Sequence, residues 1–245
     1  AQQRSVALAV VPVMVGETKV NLLDTPGYTD FIGELRAGLR AADAVLFVVS
    51  ATDDVDAATT ALWSECQRLG MPRAVVISRL DHPRADFDAA VARCRLAFGD
   101  AIVPLYLPVP ADGAVTGLLG LLTGTVSDYG TAEPAPATRA ATGVELAAAE
   151  SARGALIEGI IAESEDESLM DRYLGGEEIA PDVLIADLET AVARGSFHPV
   201  LPASAESGLG LAELLEVLVR AFPTPAERGV PAATDLDGVP AGELG

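Results

Sequence analysis

The chain has 245 residues, 50% hydrophobic and 21% charged; this mixture excludes a disordered polymer and allows one large domain or a domain carrying an insert. Its formal net charge of −20 excludes non-specific nucleic-acid binding by the average surface, which requires phosphate neutralisation, and suits a basic protein partner better. No apolar run reaches the ~18 residues that a membrane-spanning helix needs.

Val6 to Met14 and Thr18 to Leu23 read as two strands joined through Val15-Gly16-Glu17 by a short hairpin turn. Arg4 before an apolar stretch has the order of a secretion signal, but no small-x-small cleavage site follows, so the stretch is read as a strand. Ala1-Gln2-Gln3-Arg4 is an unusual opening, and the chain is expected to be a fragment. The second strand runs into Asp24-Thr25-Pro26-Gly27-Tyr28. A helix follows over Asp30 to Arg40, with Phe31, Leu35 and Leu39 at steps of four. Ala44 to Val49 has no polar gap, the mark of a parallel strand covered on both faces.

Val55 to Leu69 is helical, stopped by Gly70 and Pro72. Arg73 to Ser78 is another buried strand, ending in Arg79-Leu80-Asp81. Phe87, Val91, Cys94 and Phe98 align on the next helix, and Ile102 to Pro108 is strand-like. This alternation predicts an α/β fold, a mostly parallel sheet flanked by helices. Cys66 and Cys94, each in a helical pattern without Cys-x-x-Cys spacing, read as reduced core thiols of a cytoplasmic protein.

The pattern then changes. Gly113 to Gly130 is glycine-rich, and Thr131 to Gly143, rich in alanine, proline and threonine, reads as a flexible loop. Helices are expected over Glu145 to Ala162, Glu167 to Leu174 and Pro181 to Arg194. The acidic run Glu163 to Glu167 between the first two reads as a solvated face rather than a binding site. Pro199 to Ala203 is a strand, and Leu211, Leu214, Leu215, Leu218 and Phe222 stripe the helix after it. The proline- and glycine-rich tail is a linker. His82 and His198, each followed by proline, are read as loop histidines.

In open α/β sheets ligands sit at the carboxyl ends of the strands. Three segments fall there: Asp24-Thr25-Pro26-Gly27, Ser78-Arg79-Leu80-Asp81 and Ala203-Ser204-Ala205. Asp24 can hold a magnesium ion through water, and the N–H of Gly27, with no side chain in the way, can approach a phosphate oxygen. An isolated Asp-x-x-Gly is usually an ordinary turn. Asp81 can accept two hydrogen bonds from one edge of a guanine ring, Arg79 can lie over the base plane, and the third segment offers a backbone N–H to the base carbonyl. The ordered set, each on its strand end, raises the specificity of the signal.

Those three segments resemble the nucleotide motifs of translational GTPases of the elongation factor G type, in particular the elongation factor G-like paralogues of actinobacteria. Asp24-Thr25-Pro26-Gly27 is similar to the family's Asp-Thr-Pro-Gly, Ser78-Arg79-Leu80-Asp81 stands in the place of Asn-Lys-x-Asp, and Ala203-Ser204-Ala205 in that of Gly-Ser-Ala. Tyr173-Leu174-Gly175-Gly176-Glu177-Glu178 resembles a stretch of the subdomain that elongation factor G inserts before its last motif. The resemblance implies a P-loop NTPase-type G domain over 1–104 and 197–223, an inserted helical or mixed subdomain over 105–196, and a linker over 224–245. It implies GTP or GDP with Mg2+ as cofactors, bound by Asp24, Gly27, Ser78, Arg79, Asp81, Ser204 and Ala205, with Asp24 on the metal. The implied function is a conformational switch on the ribosome, with the ribosome and its stalk protein as partners.

This sequence departs from the family's pattern at four places. The phosphate-cradling Gly-x-x-x-x-Gly-Lys-[Ser/Thr] loop is not among the 245 residues, so the first strand and P-loop are expected to be missing. By itself the chain is expected to bind GTP feebly without measurable turnover. Ala7 stands where the family has a magnesium-ligating threonine, and Ser78 is shorter than the family's asparagine. Tyr28 stands where elongation factor G has the histidine that orients the attacking water. A phenol donates a hydrogen bond but is a poor base at neutral pH. Two readings of Tyr28 stand: a catalytic position, or a surface residue with a structural or ribosome-facing role. Two alternative functions also stand, a hydrolysis-impaired ribosome- or stalk-binding regulatory module, and a ribosomal-protection or release-factor-like GTPase.

Overall fold

The computed structural model describes residues 7–26, 32–111, 113–130 and 136–228. The fold begins with a hairpin of β1 (Ala9–Val15) and β2 (Thr18–Asp24), antiparallel from Val15↔Thr18 at the turn to Ala9↔Asp24 at the open end. Gly16 takes a φ of 57° there, as a two-residue turn must if it is to match the right-handed twist of its strands. Helix α1 (Ile32–Ala41) returns to this open end. The Leu8 N–H donates to Glu34 Oε2 at 3.2 Å, and a Cβ at Gly38 would lie 3.0 Å from the Thr25 methyl.

Strand β3 (Val45–Ser50), helix α2 (Ala57–Arg68), strand β4 (Arg73–Ser78), helix α3 (Phe87–Phe98) and strand β5 (Ile102–Pro104) follow. Asp56 and Asp86 cap α2 and α3, each accepting a backbone N–H three residues on, at 2.7 and 2.9 Å. The chain then forms four short strands: β6 (Tyr106–Ala111), β7 (Ala114–Gly120), β8 (Thr125–Asp128) and β9 (Ala137–Ala140). Helices α4 (Gly143–Glu163), α5 (Ser168–Leu174) and α6 (Pro181–Arg194) come next, then strand β10 (His198–Pro202) and helices α7 (Leu211–Arg220) and α8 (Pro225–Arg228).

Strands β3, β4, β10 and β5, in that order, form one parallel sheet. Period-2 alternation assigns its side chains to two cores. Val75, Ile77 and Val200 pack with Phe47, Trp63, Cys66, Val91 and Cys94 under α2 and α3. Ala74 and Leu201, on the other face, pack with Leu156, Ile160 and Leu184 of α4 and α6 and with Val217 of α7. Both cysteines are buried free thiols, and burial pushes each up to about 11. The hairpin is a sheet of its own. Val48 on the edge strand β3 is 67% exposed, as are the hairpin residues Val10 at 60% and Met14 at 62%.

Three sequence expectations need correction. Ile102 to Pro108 is two strands, β5 and β6, which belong to different sheets. Gly113 to Gly130, read as glycine-rich, contains β7 and β8, and Thr131 to Gly143, read as a flexible loop, contains β9; they join β6 in an antiparallel meander, order β6-β7-β8-β9. Burial of Leu118, Leu119, Leu121, Leu122 and Val126 outweighs the low strand propensity of the glycines. His198 is not a loop residue. It opens β10 paired with Ile102 and is 6% exposed; proline is tolerated beside it at the start of a strand. The expected linker beyond 228 lies outside the described residues. Among the described residues no helix is long and apolar enough to cross a membrane.

Candidate nucleotide-binding site

Parallel pairing with Ser50↔Ser78 and Pro202↔Ile77 brings the carboxyl ends of β3, β4 and β10 to one rim. The Ala51 N–H donates to Ser78 O at 2.9 Å, and the Ala203 N–H to Ile77 O at 2.8 Å, so the ladder reaches the loops. Ser78 Oγ donates to Val49 O at 3.2 Å, tying β4 back to β3. Arg79 adopts a φ of 63°, the one left-handed non-glycine among the described residues; such backbone costs about 1–3 kcal/mol and persists only where its surroundings fix it. Here the fixing comes from the buried Leu80 side chain and from the His82 N–H, which donates to Arg79 O at 3.1 Å. The result points the Arg79 side chain into solvent, 4.0 Å from Asp53 Oδ2.

Asp81, exposed, accepts a hydrogen bond from Ser204 Oγ at 2.5 Å. That bond, followed by one from its own backbone N–H, holds its carboxyl below the ordinary range. A carboxylate offers about four lone-pair sites, so a two-donor ring edge still has room. Ser204 itself is fully buried: its N–H donates to Leu209 O at 2.9 Å, and its Oγ accepts the Ser207 N–H at 3.3 Å. Ala205 is exposed beside it. The loop closes at Gly210, φ 75°, where a Cβ would stand 2.1 Å from Pro202 O; only glycine fits.

Residues 78, 79, 81, 204 and 205 therefore share one rim, and Asp81 and Ser204 touch across 123 residues of sequence. Asp24 stands exposed at the end of β2, on the separate hairpin sheet, beside α1. Gly27 and Tyr28 lie outside the described residues, and Ala7 is exposed before β1. Among the described residues no cluster of three or more His, Cys, Asp or Glu side chains is arranged to hold a metal.

Sequence reasoning missed two side-chain pairs. Tyr129, just after β8, donates its phenol hydrogen to Glu213 of α7. Arg73 and His198 meet inside the opposite end of the sheet. Neither pair has a local spacing signature, since the partners are 84 and 125 residues apart.

A parallel sheet covered on both faces, whose strand ends join an aspartate to a buried serine loop, defines an α/β domain of the open-sheet class, in which ligands sit at that rim. The sequence matches the family described as "Elongation factor Tu GTP binding domain" over residues 1–224, and the chain belongs to that family of guanine-nucleotide-binding domains. It is 55% identical over 243 residues to the "Elongation factor G-like protein" of Mycobacterium tuberculosis, in strain H37Rv and in strain CDC 1551 alike, covering 99% of this chain and 33% of the relative. It thus spans about a third of the length of these curated relatives. A crystal structure of a protein from Thermus thermophilus superposes with a TM-score of 0.81 at 36% identity, covering 92% of this chain and 33% of that one.

Proposed function

We propose that this chain is the guanine-nucleotide switch of an elongation factor G-like translation factor that acts on the ribosome in the cytoplasm. The observation that carries the reading is the Ser204–Asp81 contact, which fixes one carboxylate oxygen and presents the exposed remainder of the group at the rim. Arg79 lies over the base plane, and the Ala205 N–H meets the base carbonyl. Asp24 holds magnesium through water, since that ion keeps most of its hydration shell and needs few protein ligands. Gly27 senses the γ-phosphate, and α1, attached to the hairpin at Thr25, carries the change outward. A bound metal would supply neutralisation of phosphate charge; the chain's own residues select the base and position the nucleotide. Residues 105–196 form the insert, with the ribosomal stalk as its partner.

Asp81→Asn in the full gene product tests the reading. It exchanges an acceptor for a donor, and preference should move from guanine to xanthine nucleotides. GDP affinity unchanged by the substitution would mean that Asp81 does not touch the base.

One observation favours a second reading, a ribosome-bound module with impaired hydrolysis: Ala7 presents a methyl group where the family's threonine ligates magnesium. Ribosome-stimulated phosphate release by the full gene product separates the two.

A further inference from the structure

We propose that Tyr129, on the β-meander, is a positioning residue for base recognition, acting through α7 and the 203–210 loop on the Ser204–Asp81 pair. This rests on the guanine-binding reading above. Tyr129 is anchored at its backbone, where its N–H donates to Thr116 O of β7 at 2.7 Å. Its phenol hydrogen goes to Oε2 of Glu213, which is 6% exposed in the first turn of α7. Helix α7 lacks a side-chain cap at Gly210; the Tyr129–Glu213 bond ties its first turn to the meander instead.

From that helix start the chain of contacts to the base is short. Gly210 is locked against Pro202 O, the neighbouring Leu209 O accepts the Ser204 N–H at 2.9 Å, and Ser204 Oγ donates to Asp81 at 2.5 Å. The meander thus holds the far end of the loop that orients Asp81. A partner that shifts the meander would alter nucleotide affinity without touching nucleotide.

The test compares GDP with inosine diphosphate, which lacks the exocyclic amine that Asp81 would accept, on the full gene product. Tyr129→Phe keeps the ring and removes the hydroxyl. It should weaken GDP binding by about fivefold and inosine diphosphate, which keeps only the ring N–H for Asp81, by less, so that the preference narrows. Glu213→Leu removes the acceptor without leaving an unpaired buried carboxylate, so it should fold and give the same pattern. Glu213→Gln keeps an acceptor for the phenol and should restore the wild-type preference. Equal weakening of both nucleotides, or no change in either, would overturn the proposal. Asp81→Asn separates the levels: if it leaves the GDP preference intact, the base-recognition reading falls. If it abolishes that preference while Tyr129→Phe and Glu213→Leu do not narrow it, only the Tyr129 proposal falls.

Discussion

Arg73 Nη2 donates to His198 Nε2 at 2.9 Å; the guanidinium carbon lies over the indole of Trp63 at 4.7 Å, and the imidazole stands perpendicular to that indole. Arginine has no acceptor, so Nε2 must be the bare nitrogen of a neutral ring, with the proton on Nδ1. Arg73 is 2% exposed and His198 6%. Burial first, and the neighbouring cation second, hold the imidazole down at about 4.

That depression predicts a pH dependence. The folded value of about 4 lies below the ordinary 6.5, so the unfolded state takes up its proton first as pH falls. The contribution is whole above pH 6.5 and is lost progressively toward pH 4. Between pH 7 and 5 the loss should be about 2 kcal/mol. Urea unfolding at the two pH values, wild type against His198→Gln, isolates this from the carboxylates, because glutamine keeps an acceptor for Arg73 and does not titrate. Parallel pH profiles for the two proteins would show that His198 is not the group.

Gly210→Ala should destabilise the fold by more than about 2 kcal/mol, since a left-handed alanine and a carbonyl clash arrive together. The Cβ would stand 2.1 Å from Pro202 O, so the strain falls on the strand that leads to Ser204. Gly208→Ala is the control: it also has positive φ, at 77°, but nothing lies within 4 Å of its Cβ. Thermal unfolding should rank Gly210→Ala well below Gly208→Ala, and equal melting would refute the steric argument.

The long helix α4 is started by a reciprocal cap. Thr142 Oγ1 accepts the Glu145 N–H at 3.3 Å, and Glu145 accepts the Thr142 N–H at 2.7 Å. Arg139 on β9 adds a bond to the same carboxylate at 2.6 Å. Thr142→Ala should cost about 1 kcal/mol in denaturant unfolding, without altering nucleotide selectivity, because the cap lies between β9 and α4 rather than at the rim. A loss below a few tenths would mean that the Glu145 pair alone starts the helix.

The alternation of apolar strands and amphipathic helices was legible because each element carries its own period. The order of Asp24, Asp81 and Ser204 was legible because each follows a strand end. Tyr129–Glu213 and Arg73–His198 were not, because a contact between residues so distant in sequence depends on which strands become neighbours. The meander was obscured by its glycines, although Asp112-Gly113 is the two-residue hairpin signal and Gly113 takes a φ of 83° between Ala111 and Ala114. His198 was misread because the proline after it suggested a turn, whereas the strand starts one residue earlier.

Leu201 of the parallel sheet and Val217 of α7 sit in the same apolar cluster as Leu156 of α4 and Val192 of α6. Excising residues 105–196 would take α4 and α6 off that sheet face and leave α7 as its remaining helical cover. The segment is therefore no ornament hung on a finished scaffold: its helices form part of one wall of the scaffold, and a minimal version of this domain would need that part replaced before it could stand.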